Sequence, residues 1–226
     1  MRRILSVAAI VLAALGLVWI VRLGSSSGAA SPDAEQSTGP QAEREDIVAD
    51  SERRVAKPPP TLGRIGGTLP QTLVDPRLLA EKSRRTLTVF SDGRPVKTYR
   101  IALGADSVPP KTREGDGRTP EGAYFVCVKN SESRYTLALG LSYPAEVDAE
   151  RGVRDKLISN RERRTIVDAV RHYRKPPWNT KLGGEIMIHG GGTQSDWTQG
   201  CLALSDADVK ELYPRIPLGT EVEIRH

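Results

Sequence analysis

Cysteine and histidine are scarce in this chain, two of one and three of the other among 226 residues. Two cysteines close at most one disulfide, which excludes a disulfide-braced scaffold. No CxxC pair and no paired Cys/His spacing occurs, so a zinc site has too few ligands at workable spacing. The glycine-rich run GGEIMIHGGG at 183–192 lacks the Gly-Lys-Ser/Thr of a phosphate-binding loop. GSSSG at 24–28 matches the G-x-S-x-G hydrolase pattern in letters only, because it follows a long apolar run rather than forming a strand–turn–helix elbow. No nucleic-acid-binding motif is present. The net charge of +5 has no long basic block behind it. The densest basic group, 161–175, carries Ile166, Val167, Val170 and Tyr173 at helical spacing and reads as the wet face of an amphipathic helix.

Three segments are expected. Residues 1–23 are an export segment, with Arg2 and Arg3 ahead of an apolar run from Ile4 to Val21. The run is long enough for a membrane-spanning anchor, and small residues up to Ala30 leave a cleaved signal peptide as the alternative. Either way the remainder lies outside the cytoplasm. Residues 24–83 read as a tether rich in Pro, Ser, Ala and charge, stiff at Lys57–Pro60, with a short helix expected from Asp75 because Pro76 suits a first helical position. From residue 84 to 226 strands dominate. TLTVF and VKTYRIAL flank SDGR as a hairpin, PPKTREGDGRTPEG at 109–122 is a turn-rich loop, and AYFVCV, YTLALGL, EIMIHG and EVEI are further strands. Residues 145–175 are more helical, and SDADVKELY is a helix capped by Ser205 with Asp208 three positions on.

The chemistry gathers where the scarce residues meet. His189 ends the apolar run IMIH and enters three glycines, and Cys201 follows Gly200 twelve positions later. A histidine titrates near neutrality and serves as a general base. A thiol with an ordinary pKa near 8.5 needs such a base to become a nucleophile. Gly200 permits a tight turn whose N–H groups, with that of Cys201, face a developing oxyanion. The carbonyl of Gly190 is the nearest group to orient the other ring nitrogen of His189. Trp197, Thr198 and Gln199 flank the nucleophile as substrate contacts, and Tyr143 in LSYP is a further pocket candidate. His172 and His226 read as surface residues and Cys127 as core. A Cys127–Cys201 bridge is conceivable in an oxidising compartment, but a nucleophilic Cys201 has to stay unpaired.

This pattern resembles the L,D-transpeptidase catalytic domain of the YkuD type. Ile188-His189-Gly190 and Thr198-Gln199-Gly200-Cys201-Leu202-Ala203 match the family's histidine and cysteine motifs. Gly115, Asp116, Thr119, Pro120 and Gly122, leading to Tyr124, match its G-D-x-x-T-P-x-G signature. Gln199 and Ala203 depart from it, standing where many members have histidine and Asn or Arg. The resemblance implies a mainly-β, sandwich- or barrel-like catalytic domain with a few helices, following the membrane or signal helix and the disordered linker. It implies acyl transfer on peptidoglycan stem peptides through a Cys201 thioester, with His189 as base and no metal or organic cofactor. The expected place is the periplasmic face of the bacterial inner membrane, held through residues 4–21, or the periplasm if the segment is cleaved. A carboxypeptidase or wall-protein-releasing hydrolase of the same fold, and a silent wall-binding module, are the alternatives. Residues 131–184 read as an insertion able to shape a substrate lid.

Overall fold

A computed structural model of the chain describes residues 67–226. The export segment and most of the tether lie outside these residues. Among the described residues no helix is long and apolar enough to cross a membrane.

Eight strands follow in order: β1 Arg77–Glu81, β2 Thr86–Ser91, β3 Arg94–Arg100, β4 Gly122–Asn130, β5 Ala138–Leu141, β6 Met187–His189, β7 Leu202–Ala203 and β8 Glu221–Arg225. They form one sheet in the order β3-β2-β1-β8-β4-β5-β6-β7. Three helices accompany it: α1 Glu146–Arg154, α2 Asn160–Arg171 and α3 Asp206–Leu212. The domain is mainly β with few helices, as expected.

The β2–β3 hairpin closes as its letters predict. Asp92 and Gly93 both have positive φ, 50° and 68°, the mirror-image turn whose twist matches paired strands. The last strand does not lie at an edge. β8 inserts between β1, to which it runs parallel, and β4, to which it runs antiparallel. Val222 and Ile224 face the core while Glu221, Glu223 and Arg225 face water, so its alternation matches the burial strand by strand.

The expected helix at Asp75 is instead the strand β1. Arg77–Glu81 pairs along its whole length with β2 on one side and β8 on the other. Two ladders and the burial of Leu78 and Ala80 outweigh the weak local helix signal. The folded unit therefore begins before residue 84, and Leu69 is already core.

The strip continuing β3 turns back onto the far edge of the sheet. Ala102 exchanges two backbone hydrogen bonds with Ala203 of β7, at 2.9 and 2.8 Å, and Gly104 bridges Thr198. The sheet thus curls until its first and last strands meet, enclosing Leu87, Ile101, Val126, Leu139, Ile188 and Leu202. Residues between β5 and β6 form α1 and α2, which share a small core of their own, Ala149, Ile158, Ile166 and Leu182. Ser159 and Glu162 make the reciprocal cap that starts α2. Ile166 and Val167 are buried as their spacing predicts, but Tyr173 lies past the helix end and is 65% exposed.

Candidate active site

The site sits on the seam where the curled sheet meets itself. β6 and β7 pair in parallel, Ile188 opposite Leu202 and His189 opposite Ala203. Opposed residues point to the same side of a sheet and alternate along each strand. Ile188 and Leu202 therefore share the core face, and His189 shares the other with Cys201, two residues before Ala203. Such diagonal neighbours stand roughly 7–8 Å apart at the backbone, within reach of an imidazole and a thiol.

His189 is 3% exposed. Its Nδ1 lies 2.5 Å from the Gly190 carbonyl oxygen. A carbonyl only accepts, so Nδ1 carries the proton and donates it, leaving Nε2 as the basic nitrogen. The ring stacks on Tyr135, centroids 4.5 Å apart, and Trp197 meets it edge-on at 5.7 Å. Burial pushes the imidazole below its ordinary pKa, the Gly190 carbonyl opposes this, and the positive charge of Arg134 adds to it. The base is neutral at neutral pH.

Cys201 is partly exposed and its thiol is free, as is that of Cys127. Sγ donates to the Glu185 carbonyl at 3.4 Å. Burial raises its pKa, while the Met187 N–H, Lys111 and Arg134 pull the other way. The resting pair is thus thiol and neutral imidazole, and the proton has to move as sulfur attacks.

The turn before Cys201 is tied to the second glycine signature. Asp116 accepts hydrogen bonds from the N–H groups of Thr112, Arg113 and Arg118 and from Lys111 Nζ. Burial opposes its charge, but these donors hold the carboxyl below the usual range. Thr119 Oγ1 accepts from the Gly104 N–H at 2.9 Å, and Gly104 bridges Thr198. The Arg118 carbonyl lies where a Cβ on Gly200 would be, 2.4 Å away, and Gly200 has φ +128°. No other residue fits there. Gly190 is equally confined, since a Cβ would stand 2.4 Å from Asp206 Oδ1 and 2.8 Å from the Tyr135 carbonyl.

The expected site residues divide into two groups. His189, Gly190, Trp197, Gly200 and Cys201 come together, and Gln199 is exposed beside them. Tyr143 does not join them. It is fully buried, and its hydroxyl donates to the Leu182 carbonyl at 3.0 Å, because burial forces a phenol to find an internal acceptor. Thr198 is also no substrate contact: it is buried, its hydroxyl donates to the Cys201 carbonyl at 2.8 Å and accepts from the Gly200 N–H at 3.1 Å. That last bond occupies the Gly200 donor expected for an oxyanion. The Cys201 N–H has no partner among the described residues and is the backbone donor left for it.

Tyr135, Arg85, Asp196 and Asp206 were not legible beforehand. Tyr135 flanks the imidazole with its ring and takes the Gly190 N–H on its carbonyl at 3.0 Å. Asp196 accepts from Nε and Nη2 of Arg85, the Ser107 hydroxyl and the Leu103 N–H, fixing the turn that carries Trp197. Asp206, at the start of α3, accepts from the Gly191 N–H at 2.9 Å. Only Asp206 left a trace in sequence, as an acid in a first helical turn. Segment 180–186, which ends the expected insertion, runs alongside the site: the Lys181 carbonyl accepts from the Glu114 N–H and the Glu185 carbonyl holds the thiol. Among the described residues no cluster of three or more metal-ligating side chains occurs.

The family model for the YkuD L,D-transpeptidase catalytic domain matches residues 75–224. A search of the curated proteins finds no match. Among solved structures, the chain is similar to the helical cell shape determining protein Pgp2 from Campylobacter jejuni. Identity there is 21%, with 74% of this chain and 50% of that one covered, at a TM-score of 0.47. It is also similar to an L,D-transpeptidase from Xylanimonas cellulosilytica, at 19% identity, 70% and 63% coverage and a TM-score of 0.38. An L,D-transpeptidase from Mycobacterium smegmatis shares 12% identity over 67% of this chain and 59% of that one, at a TM-score of 0.40. The chain spans half the length of the Campylobacter protein.

Proposed function

Because the chain belongs to the L,D-transpeptidase catalytic-domain family, we propose that it transfers acyl groups on peptidoglycan tetrapeptide stems through a thioester on Cys201. The observation that carries the proposal is the pairing of β6 with β7. It sets a thiol beside an imidazole whose Nδ1 is committed to the Gly190 carbonyl, so that Nε2 is free to take a proton.

The Cys201 proton passes to His189 Nε2 as Sγ attacks the carbonyl carbon of the diamino acid at position three of the stem. The oxyanion accepts the Cys201 N–H. The carbon–nitrogen bond to the terminal D-Ala breaks, and His189 returns the proton to the departing amine. A thioester remains. An acceptor amine then attacks it, losing its proton to His189, and the thiolate leaves and is reprotonated. With water in that place the product is a tripeptide. Trp197, Gln199 and segment 180–186 border the acyl group.

Hydrolysis is the second reading. Ala203 is fully buried against Ala102, and neither it nor Gln199 offers a charge beside the nucleophile to hold an acceptor chain. The segment at 4–21 supports a place on the outer face of the inner membrane. Product analysis with disaccharide-tetrapeptide separates the readings: crosslinked dimers or exchanged D-amino acids mark amine capture, tripeptide alone marks hydrolysis. Identical product profiles from the wild type and Cys201→Ala would remove both.

A further inference from the structure

Arg134 is exposed and makes no ion pair or hydrogen bond among the described residues. Its position is nonetheless defined. The guanidinium carbon lies 4.9 Å from the centroid of the Tyr135 ring, and that ring stacks on His189 at 4.5 Å. Tyr135 is pinned on both sides, its N–H on the Ser133 hydroxyl at 3.1 Å and its carbonyl on the Gly190 N–H at 3.0 Å. Arginine, tyrosine and histidine are thereby linked by two ring contacts, and the charge of Arg134 is felt at both His189 and Cys201. Lys111, the other cation whose charge reaches Cys201, is paired with Asp116 at 2.9 Å, and Arg118 is paired with Asp106 at 2.8 Å.

We propose that Arg134 binds the carboxylate of the leaving D-amino acid and so makes the enzyme specific for stems that end in a free carboxyl group. The inference rests on the acyl-transfer reading above. The chemistry places the carboxylate there. The departing nitrogen has to touch His189 Nε2 to receive its proton, and the carboxyl carbon is only two bonds from that nitrogen. A carboxylate in that position lies within a few ångströms of the imidazole, and Arg134, set against the ring that stacks on that imidazole, has no counterion among the described residues. A guanidinium held over a ring has its forked donors free to meet a carboxylate in bidentate fashion. The same residue gives an internal acyl bond, flanked by neutral amide, nothing to engage.

The test compares two enzymes on two substrates at about pH 8, above the ordinary histidine transition. The full chain and its Arg134→Met variant are assayed on disaccharide-tetrapeptides ending in D-alanine or in D-alaninamide. A charge-assisted contact is worth about 10- to 100-fold in kcat/KM. The wild type is expected to favour the free acid by that factor. Arg134→Met is expected to lose it on the acid while changing the amide less than about threefold, and Arg134→Lys to recover part of it on the acid alone. Equal loss on both substrates, or no loss on either, overturns the proposal and leaves Arg134 a structural or bystander residue. A wild type that turns over neither substrate overturns the acyl-transfer reading itself, and this proposal with it.

Discussion

Strands β2, β3 and β4 have six, seven and nine residues, whereas β6 and β7, which carry the site, have three and two. The long strands hold one another by ladders and by alternate side chains packed in the core. The short ones have few rungs, three between β5 and β6 and two between β6 and β7. They and the loop between them are held in addition by contacts from distant parts of the chain: Ala102 on Ala203, Leu103 on Trp197 and Thr198, Arg118 against Gly200, Tyr135 on Gly190. In the first half stability is spread over many residues. In the second it is concentrated where backbones touch, which positions groups closely but tolerates little change. Substitutions in the two halves ought to separate stability from activity.

The largest separation is expected at Cys201. Cys201→Ala removes the nucleophile, so turnover of tetrapeptide falls by on the order of 10³-fold or more, while the melting temperature stays within a few degrees because the thiol contributes one long hydrogen bond. Thermal unfolding beside product assays checks both parts. Leu87→Ala does the reverse. Leu87 is fully buried in the long-strand half, so the cavity costs about 2–5 kcal/mol, seen as a lower denaturation midpoint, and kcat per folded molecule stays within about twofold. Gly200→Ala lies between them. Its Cβ meets the Arg118 carbonyl at 2.4 Å with φ at +128°, and strain of about 1–3 kcal/mol lowers both midpoint and kcat as Cys201 is displaced.

How much of this contrast could be read beforehand follows the same division. The β2–β3 hairpin was legible because alternation and the Asp-Gly turn are local. His189 and Cys201 were legible because their residue types are rare and lie next to glycines. β1 was misread as a helix because the partners that make it a strand are residues 86–90 and 221–225. β7 is too short for any period to register. Tyr143 was assigned to the pocket because nothing local reveals that its hydroxyl finds Leu182, 39 positions away. Tyr135, Arg85 and Asp196 were invisible for that reason too, since Arg85 and Asp196 are 111 residues apart. Thr198 was placed correctly beside the nucleophile, but its hydroxyl turned inward because the buried Gly200 N–H needed an acceptor.

The smallest effect expected is in pH dependence. His189 has its pKa pushed below the ordinary histidine value, chiefly by burial. Only the neutral ring accepts the thiol proton, so kcat/KM should hold as pH falls through about 6.5 and drop only lower, at the folded-state value. Stability follows the same sign. The unfolded chain binds the proton more readily, so this contribution is complete above the unfolded pKa and is lost as pH falls toward and through the folded one. His189→Gln should remove that dependence from the unfolding curve. An acid limb at or above the ordinary histidine value would mean that the buried, seam-side environment does not govern the base.

The central claim is that Cys201 becomes acylated. The direct measurement is the intact mass of the full chain during incubation with purified disaccharide-tetrapeptide, beside Cys201→Ala. The account predicts an adduct equal to the substrate less D-alanine, labile to hydroxylamine, mapped to Cys201 and absent from the variant, with free D-alanine appearing as it forms. Release of D-alanine at equal rates by both proteins, with no adduct on either, would contradict it.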